Sequence, residues 1–234
     1  MNCHMMKSRR KFIVAILGLV VFLIPALSHA QGQRSPSAQQ ERIVPLQRVA
    51  ILPFLIVKPA RPEQRVVKGL WENFFFRTGD LTARSGPVVT ASFQRQLNAL
   101  NRCELITQEQ AQSAAEGMDP QKMLKDPIGI AAQIGRELNL YAVVIGGVYR
   151  FEQRKGSALG VESPASAAFD AHLVRVADKK VLWSGRFDET QHSLSENVLK
   201  VTTFLKGGAQ WVTVERWTEL GAESVLRTFP TLSR

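Results

Sequence analysis

Cysteine and histidine are scarce in this chain of 234 residues, with two of the first and four of the second. Cys3 precedes a long apolar stretch and Cys103 is the only cysteine after it. A processed protein therefore has no pair with which to close an internal disulfide. Cys103 reads as a small core residue opening a strand rather than as a reactive thiol. No P-loop, dinucleotide fingerprint, nucleophile elbow or His-Glu-x-x-His helix occurs. Gly156 and Gly160 precede a strand, where no helix N-terminus pools N–H donors for a phosphate. No catalytic residue and no cofactor are expected, and the chain reads as non-enzymatic.

His172 and His192 are the histidines outside the export segment, and Asp170 and Asp188 invite a metal-site reading. Strand register argues against it. A tight turn at Asp178-Lys179 sets His172 opposite about Gly185, so His192 lies roughly 20 Å further along at ~3.3 Å per residue. Two ligands of one zinc must each lie ~2 Å from it. No metal site is expected.

Acidic residues are also outnumbered, 20 against 30 basic, for a net charge of +10. Four of the cations, Lys7, Arg9, Arg10 and Lys11, fall in a segment without acids. The remaining basic residues are scattered, which suits solubility or contact with anionic surfaces, and no groove-reading motif points to nucleic acid. The hydrophobic fraction of 45% is that of a globular protein.

Those four cations form the start of an export signal. Phe12 to Leu27 is an uncharged apolar stretch, and Ser28-His29-Ala30 puts small residues at the positions a signal peptidase reads. Cleavage is expected between Ala30 and Gln31, which makes 1–30 a signal peptide. Ser8-Arg9-Arg10-Lys11-Phe12-Ile13 also resembles a twin-arginine signal. An uncleaved inner-membrane anchor is the alternative, although the stretch is shorter than the roughly 20 residues that span a bilayer. Residues 31–47, rich in Gln, Ser, Arg and Pro, read as a flexible leader. Residues 48–230 then suit a single α/β domain.

Within that domain, Val49 to Val57 is a nearly continuous apolar run, as in a strand buried on both faces, and Pro53 implies an edge, a bulge or an early end of pairing. Val66 to Phe76 fits a short helix or an irregular excursion. Phe93, Leu97 and Leu100 place a helix over 87–100. Cys103 to Ile106 is a short strand, and Thr107 with Gln110 forms a capping box opening a helix through Met118. Asp126-Pro127 opens another, with Ile130 or Ala131, Ile134 and Leu138 on one side. Tyr141 to Val148 is the clearest buried strand, and its two glycines imply close approach by another backbone. Strands over 167–176 and 181–190 follow, joined at Asp178-Lys179. A helix from Ser195 to Leu205 precedes a longer one over 211–229, with Trp211, Val214, Trp217, Leu220 or Gly221 and Val225 as its core stripe. The order predicts a mixed sheet of four to five strands flanked by helices. Trp183, Trp211 and Trp217 read as packing residues, with partner binding by one of them as the sharper alternative.

Three segments carry a family resemblance. Arg48 to Phe54 (RVAILPF) resembles the opening strand of the superfamily that includes the TolB amino-terminal domain, the curli secretion lipoprotein and the penicillin-binding-protein activator lipoproteins. Gly135 to Tyr149 is similar to its helix and Gly-ended strand, and Leu173 to Trp183 to its hairpin. This chain departs from the lipoprotein branches in having no cysteine after the apolar segment to acylate. The hairpin also lacks the usual turn glycine. The resemblance implies binding and assembly work at the bacterial envelope.

The resulting expectation is a periplasmic, non-enzymatic protein that binds an envelope protein or outer-membrane complex. A membrane-tethered subunit with an uncleaved anchor and a hydrolase with an unrecognised site are the alternatives. The loop from Arg154 to Ser166 is the candidate contact surface, with the basic pair Arg154 and Lys155 at its start and Leu159 and Val161 in its middle. Intact mass of the protein from a periplasmic extract should begin at Gln31. A full-length species lodged in the inner membrane is the contrary result.

Overall fold

The computed structural model describes residues 46–71, 74–157, 160–192 and 210–233. The expected signal peptide with its Ala30–Gln31 junction, the leader as far as residue 45, Leu159 and the helix expected from Ser195 lie outside the described residues. The described residues form one α/β domain built on a mixed sheet.

The clearest apolar run of the sequence becomes the central strand β6 (Ala142–Glu152), following β1 (Arg48–Ile51), β2 (Leu55–Ile56), β3 (Val66–Lys68), β4 (Phe75–Arg77) and β5 (Glu104–Leu105). Two short strands, β7 (Lys155–Gly156) and β8 (Val161–Ser163), precede the long β9 (Ser166–Arg175) and β10 (Val181–Thr190). Across the main sheet the order is β10-β9-β6-β1-β5, and β2 also pairs with β6. The sheet thus has five positions but six strands, because β1 and β2 share one side of β6. β1 runs parallel to β5 and β6, whereas β9 is antiparallel to β6 and β10. β6 is buried on both faces, which is why it reads as an unbroken apolar run rather than an alternating one.

Helices cover both faces. On one face α1 (Ser85–Leu100) and a long C-terminal helix pack over Val144, Val148, Phe169 and Leu173. On the other, α2 (Gln108–Glu116), α3 (Pro120–Lys125) and α4 (Pro127–Glu137) cover Val143, Ile145 and Val174. The C-terminal helix, α5 (Val214–Leu226), is shorter than the expected 211–229 and leaves Trp211 before its start, but it buries Val214, Trp217, Leu220 and Val225 as its periodicity predicts. The α2 capping box forms as expected, with Gln110 N donating to Thr107 Oγ1 at 3.3 Å. Asp119 and Asp126 cap α3 and α4, accepting from Gln121 N and Gly129 N, each at 2.9 Å. In α4 Ala131 and Ile134 take the core positions.

Some expectations need correction. Val66 to Phe76 is neither helix nor irregular excursion but the β3–β4 hairpin, whose Val67 and Phe76 are buried against Tyr149 and Ala168. Its apolar residues are drawn into a two-stranded ribbon because only alternate ones have a surface to cover. Leu100, at the last position of α1, is exposed. α3 is an additional helix, and the Arg154–Ser166 loop carries the small β7–β8 hairpin. The β9–β10 turn is wider than a two-residue turn at Asp178-Lys179: Arg175 N donates to Lys180 O at 2.8 Å, and Lys179 takes φ 60°. With a register shift between Val181 and Trp183, His172 faces Ser184, one residue from the expected Gly185. Arg175 grips Asp178 at 2.9 and 2.6 Å, and that hydrogen bonding pulls the Asp178 carboxyl down to about 2.

Val144 is completely buried in β6. Val144→Asp puts a carboxylate there at a penalty of roughly several kcal/mol. The variant should lose its cooperative thermal transition, and a normal melt would remove β6 from the core.

Candidate functional site

The site begins where the first strand breaks. Pro53 has no N–H to give to a ladder. Leu52 N still donates to Val144 O at 2.9 Å, but Phe54 N turns away and donates to Thr90 Oγ1 of α1, also at 2.9 Å. Thr90 passes its own hydroxyl proton to Gly86 O at 2.8 Å, so the buried hydroxyl is used in both directions. Gly86 is required at this junction, because a Cβ there would stand 2.5 Å from Phe54 O. Gly146 likewise clears room: a Cβ on it would meet the Phe54 ring at 2.2 Å and Asp170 O at 2.5 Å. The close approach expected from the β6 glycines is thus made by an aromatic ring as well as by backbone.

Past the break, pairing resumes with β6, and Val57 N donates to Val148 O at 2.9 Å. Among the described strands β2 pairs with β6 alone, so its other edge is open. That edge forms the floor of a groove of about 810 Å³. One wall is α1, through Pro87, Ala91 and Gln94, and the other is α2 and α3, through Ala115, Met118 and Met123. Gln108 also lines the groove, and its Oε1 is buried without a hydrogen-bond partner. Such an acceptor costs about 1–3 kcal/mol until a donor meets it. The geometry offers apolar side walls, a bare strand edge and one waiting acceptor, which is the chemistry that holds an extended peptide.

A second cluster lies on the α2–α4 face of the sheet. Asp170, fully buried in β9, accepts from Gly147 N at 3.0 Å and from Tyr149 Oη at 2.8 Å. Tyr149 Oη in turn accepts from Leu70 N at 2.9 Å, and its ring stacks on Phe76 with centroids 4.0 Å apart. Burial, and then the Asp170 charge, push the phenol far above its ordinary range. His172 Nδ1 lies 2.9 Å from Ser184 Oγ, while Nε2 lies 3.3 Å from Asp170 Oδ2 without the alignment of a hydrogen bond. This Ser–His–Asp sequence superficially matches a hydrolase triad. In a triad, however, the carboxylate holds Nδ1 and Nε2 faces the serine, whereas here Nδ1 lies on Ser184 Oγ and Nε2 makes no hydrogen bond to Asp170. The cluster is a polar tie between the sheet and the β3–β4 hairpin.

Arg150 makes a similar tie. Its guanidinium donates to Ser166 Oγ at 2.6 Å, Arg77 O at 3.1 Å and Asp188 Oδ1 at 2.7 Å, joining four strands. Asp188 therefore serves an arginine.

The residues singled out in sequence are spread widely. Arg154 is half-buried and donates to Gly156 O at 3.3 Å, Lys155 is exposed, and Val161 is half-buried rather than exposed. Trp183 and Trp217 are core residues whose indole N–H groups donate to Thr228 Oγ1 and Glu189 O, each at 3.0 Å. Trp211 is half-buried. Cys103 is a core residue directly before β5, and burial pushes its thiol up to about 12. None of these lines the groove. Of the groove's features only Pro53 carried a signal, as a proline inside an apolar run. Gln108 had none, because a helix-forming glutamine after a cap is ordinary in sequence.

Fold and groove together define an α/β domain whose mixed sheet is open at a strand edge between two helical walls. No protein-family model matches the chain, and no curated protein matches it in sequence. Several solved structures do resemble it. Lipoprotein GNA1162 from Neisseria meningitidis is 13% identical, with 69% of this chain and 94% of that one covered and a TM-score of 0.44. The PelC dodecamer from Paraburkholderia phytofirmans is 13% identical, covering 81% and 89%, with a TM-score of 0.45. The LpoB C-terminal domain from Escherichia coli is 15% identical, covering 64% and 87%, with a TM-score of 0.38.

Tyr149→Phe removes the partner of Leu70 N and of Asp170 Oδ2. Denaturant unfolding should show a loss of about 1–3 kcal/mol; unchanged stability would dissolve the tie. In the native protein Cys103 should resist alkylation at pH 8 and react only after unfolding, as read by peptide mass mapping. Ready labelling of the folded chain would contradict its burial.

Proposed function

We propose that this chain is an exported, non-enzymatic protein of the cell envelope that captures an extended segment of another envelope protein. The observation that carries the reading is the open edge of β2 on the floor of an apolar groove. A peptide laid along β2 extends the sheet by one strand, and its alternate side chains enter the walls made by α1 and by α2–α3. A groove of about 810 Å³ lies within the size range of ligand sites. The export segment supplies the compartment, with the periplasm as the place of work and the uncleaved anchor as its tethered variant. The β7–β8 hairpin, with Arg154, Lys155 and Val161, is the competing contact surface, favoured by its place between the paired ends of β6 and β9.

Two variants separate these surfaces. Ala91 is exposed on the groove wall, so Ala91→Trp fills the groove without touching the core. A photo-crosslinking residue at Gln112, on the opposite wall, should join the wild type to a partner peptide in cells. Ala91→Trp should reduce that crosslink at least tenfold at an unchanged melting temperature. Replacing Ser157 to Glu162 by a short Gly-Ser linker should leave it intact. Loss with the linker and retention with Ala91→Trp would move the contact to the β7–β8 hairpin.

A further inference from the structure

The β3–β4 hairpin has two unlike faces. Pairing sets Val66 opposite Arg77, Val67 opposite Phe76 and Lys68 opposite Phe75. Val67 and Phe76 point into the domain. The other face therefore presents Val66, Lys68, Phe75 and Arg77 together. Phe75 is 62% exposed and Val66 42%, and Trp71, towards the tip, is 40% exposed. These are three of the four large exposed apolar residues among the described residues. Apolar groups gathered in this way mark a surface with a partner.

The charge around them is mostly positive. Lys58, Arg61 and Arg65 precede the hairpin and are exposed, as are Lys68 and Arg77. From Lys58 to Arg77 the sequence holds five basic residues against two acidic. None of these five cations is in an ion pair among the described residues. A tryptophan and a phenylalanine with neighbouring cations that make no ion pair among the described residues suit the boundary of an anionic bilayer, where rings sit at headgroup depth and lysine and arginine meet phosphate. No described helix is long and apolar enough to cross a membrane, so contact through this hairpin is contact with a surface.

The hairpin is also held firmly enough to present that face. Tyr149 Oη accepts from Leu70 N at 2.9 Å, and Arg150 holds the Arg77 carbonyl at 3.1 Å. Phe74 lies under the Arg186 guanidinium, 4.5 Å from its ring centroid. We propose that the Val66–Arg77 hairpin docks the protein on an anionic phospholipid surface, with Trp71 and Phe75 entering the headgroup layer and the flanking cations pairing with lipid phosphates. This surface is separate from the groove along β2, so the two readings stand or fall independently.

The test uses the full chain with two kinds of vesicle: phosphatidylcholine alone, and phosphatidylcholine with roughly one-third phosphatidylglycerol. The readout is quenching of Trp71 by brominated lipid, isolated as the difference between wild type and Trp71→Phe. The export segment holds no tryptophan and so gives no signal of its own, and its binding to lipid is common to the wild type and the hairpin variants, whose comparison isolates the hairpin. Trp71 should be quenched on the anionic vesicles and not on phosphatidylcholine alone, and salt should reverse it. Lys68→Gln with Arg77→Gln should weaken the apparent affinity by about fivefold per charge. Phe75→Ser should weaken it further, with all melting temperatures unchanged because these side chains are exposed. Equal quenching on both vesicles, no quenching, or quenching indifferent to the charge variants each overturns the proposal. A hairpin that crosslinks to an envelope protein while Trp71 stays unquenched by lipid overturns it as well.

Discussion

A strand buried on both faces has no water to satisfy its backbone, so the N–H and C=O groups along Ala142–Glu152 must find partners within the protein, most of them in neighbouring strands. That requirement organises the molecule. β9 supplies one side of β6 along its whole length, and β1 followed by β2 supplies the other. Once these ladders exist, each face of the sheet is an apolar surface that helices must cover. The register shift between Val148 and Arg150 is the one irregularity in the β6–β9 pairing. Tyr149 and Arg150, the residues that reach the β3–β4 hairpin, lie at that shift.

The groove is a consequence of filling one side of β6 with two strands instead of one. A proline cannot donate at the junction, and the chain swings outward far enough for Phe54 N to reach Thr90. When pairing resumes, β5 no longer accompanies it, because β5 pairs only with Arg48 and Val49. An unpaired edge is ordinarily a liability that proteins cover or charge. Here helices rise on both sides of it without closing over it, and the walls they present are largely apolar.

The same economy of pairing explains the buried polar groups. Asp170 has both oxygens occupied, and Arg150 is occupied at three of its donors. Each joins strands distant in sequence and anchors the hairpin that carries Trp71 and Phe75. An exposed apolar ribbon is stable in water only if its other face is fixed, and these ties, with the stacking of Phe76 on Tyr149, fix it.

Local pattern alone was enough for β6, β9, β10, α1, α2, α4 and α5, since a period of two or 3.6 and a capping residue act within a few residues of one another. The capping box at Thr107, the buried Cys103 and the core stripe of α5 were legible for that reason. The wider turn at Val176–Lys179 was not, because its width depends on how Arg175 and Lys180 meet across two strands. Nor was the β3–β4 hairpin, whose alternation declares itself only against Tyr149 and Ala168, more than seventy residues away. The groove is tertiary in the same sense: Pro53 announced that pairing would falter, but the open edge exists because α1 and α2–α3 are held apart on opposite faces of the sheet. Sequence by itself determined most of the strands and helices and which of their faces are apolar, through side-chain periodicity and backbone preference. Tertiary structure alone decided which edge stays open and which apolar face stays exposed, because both depend on what distant elements leave uncovered.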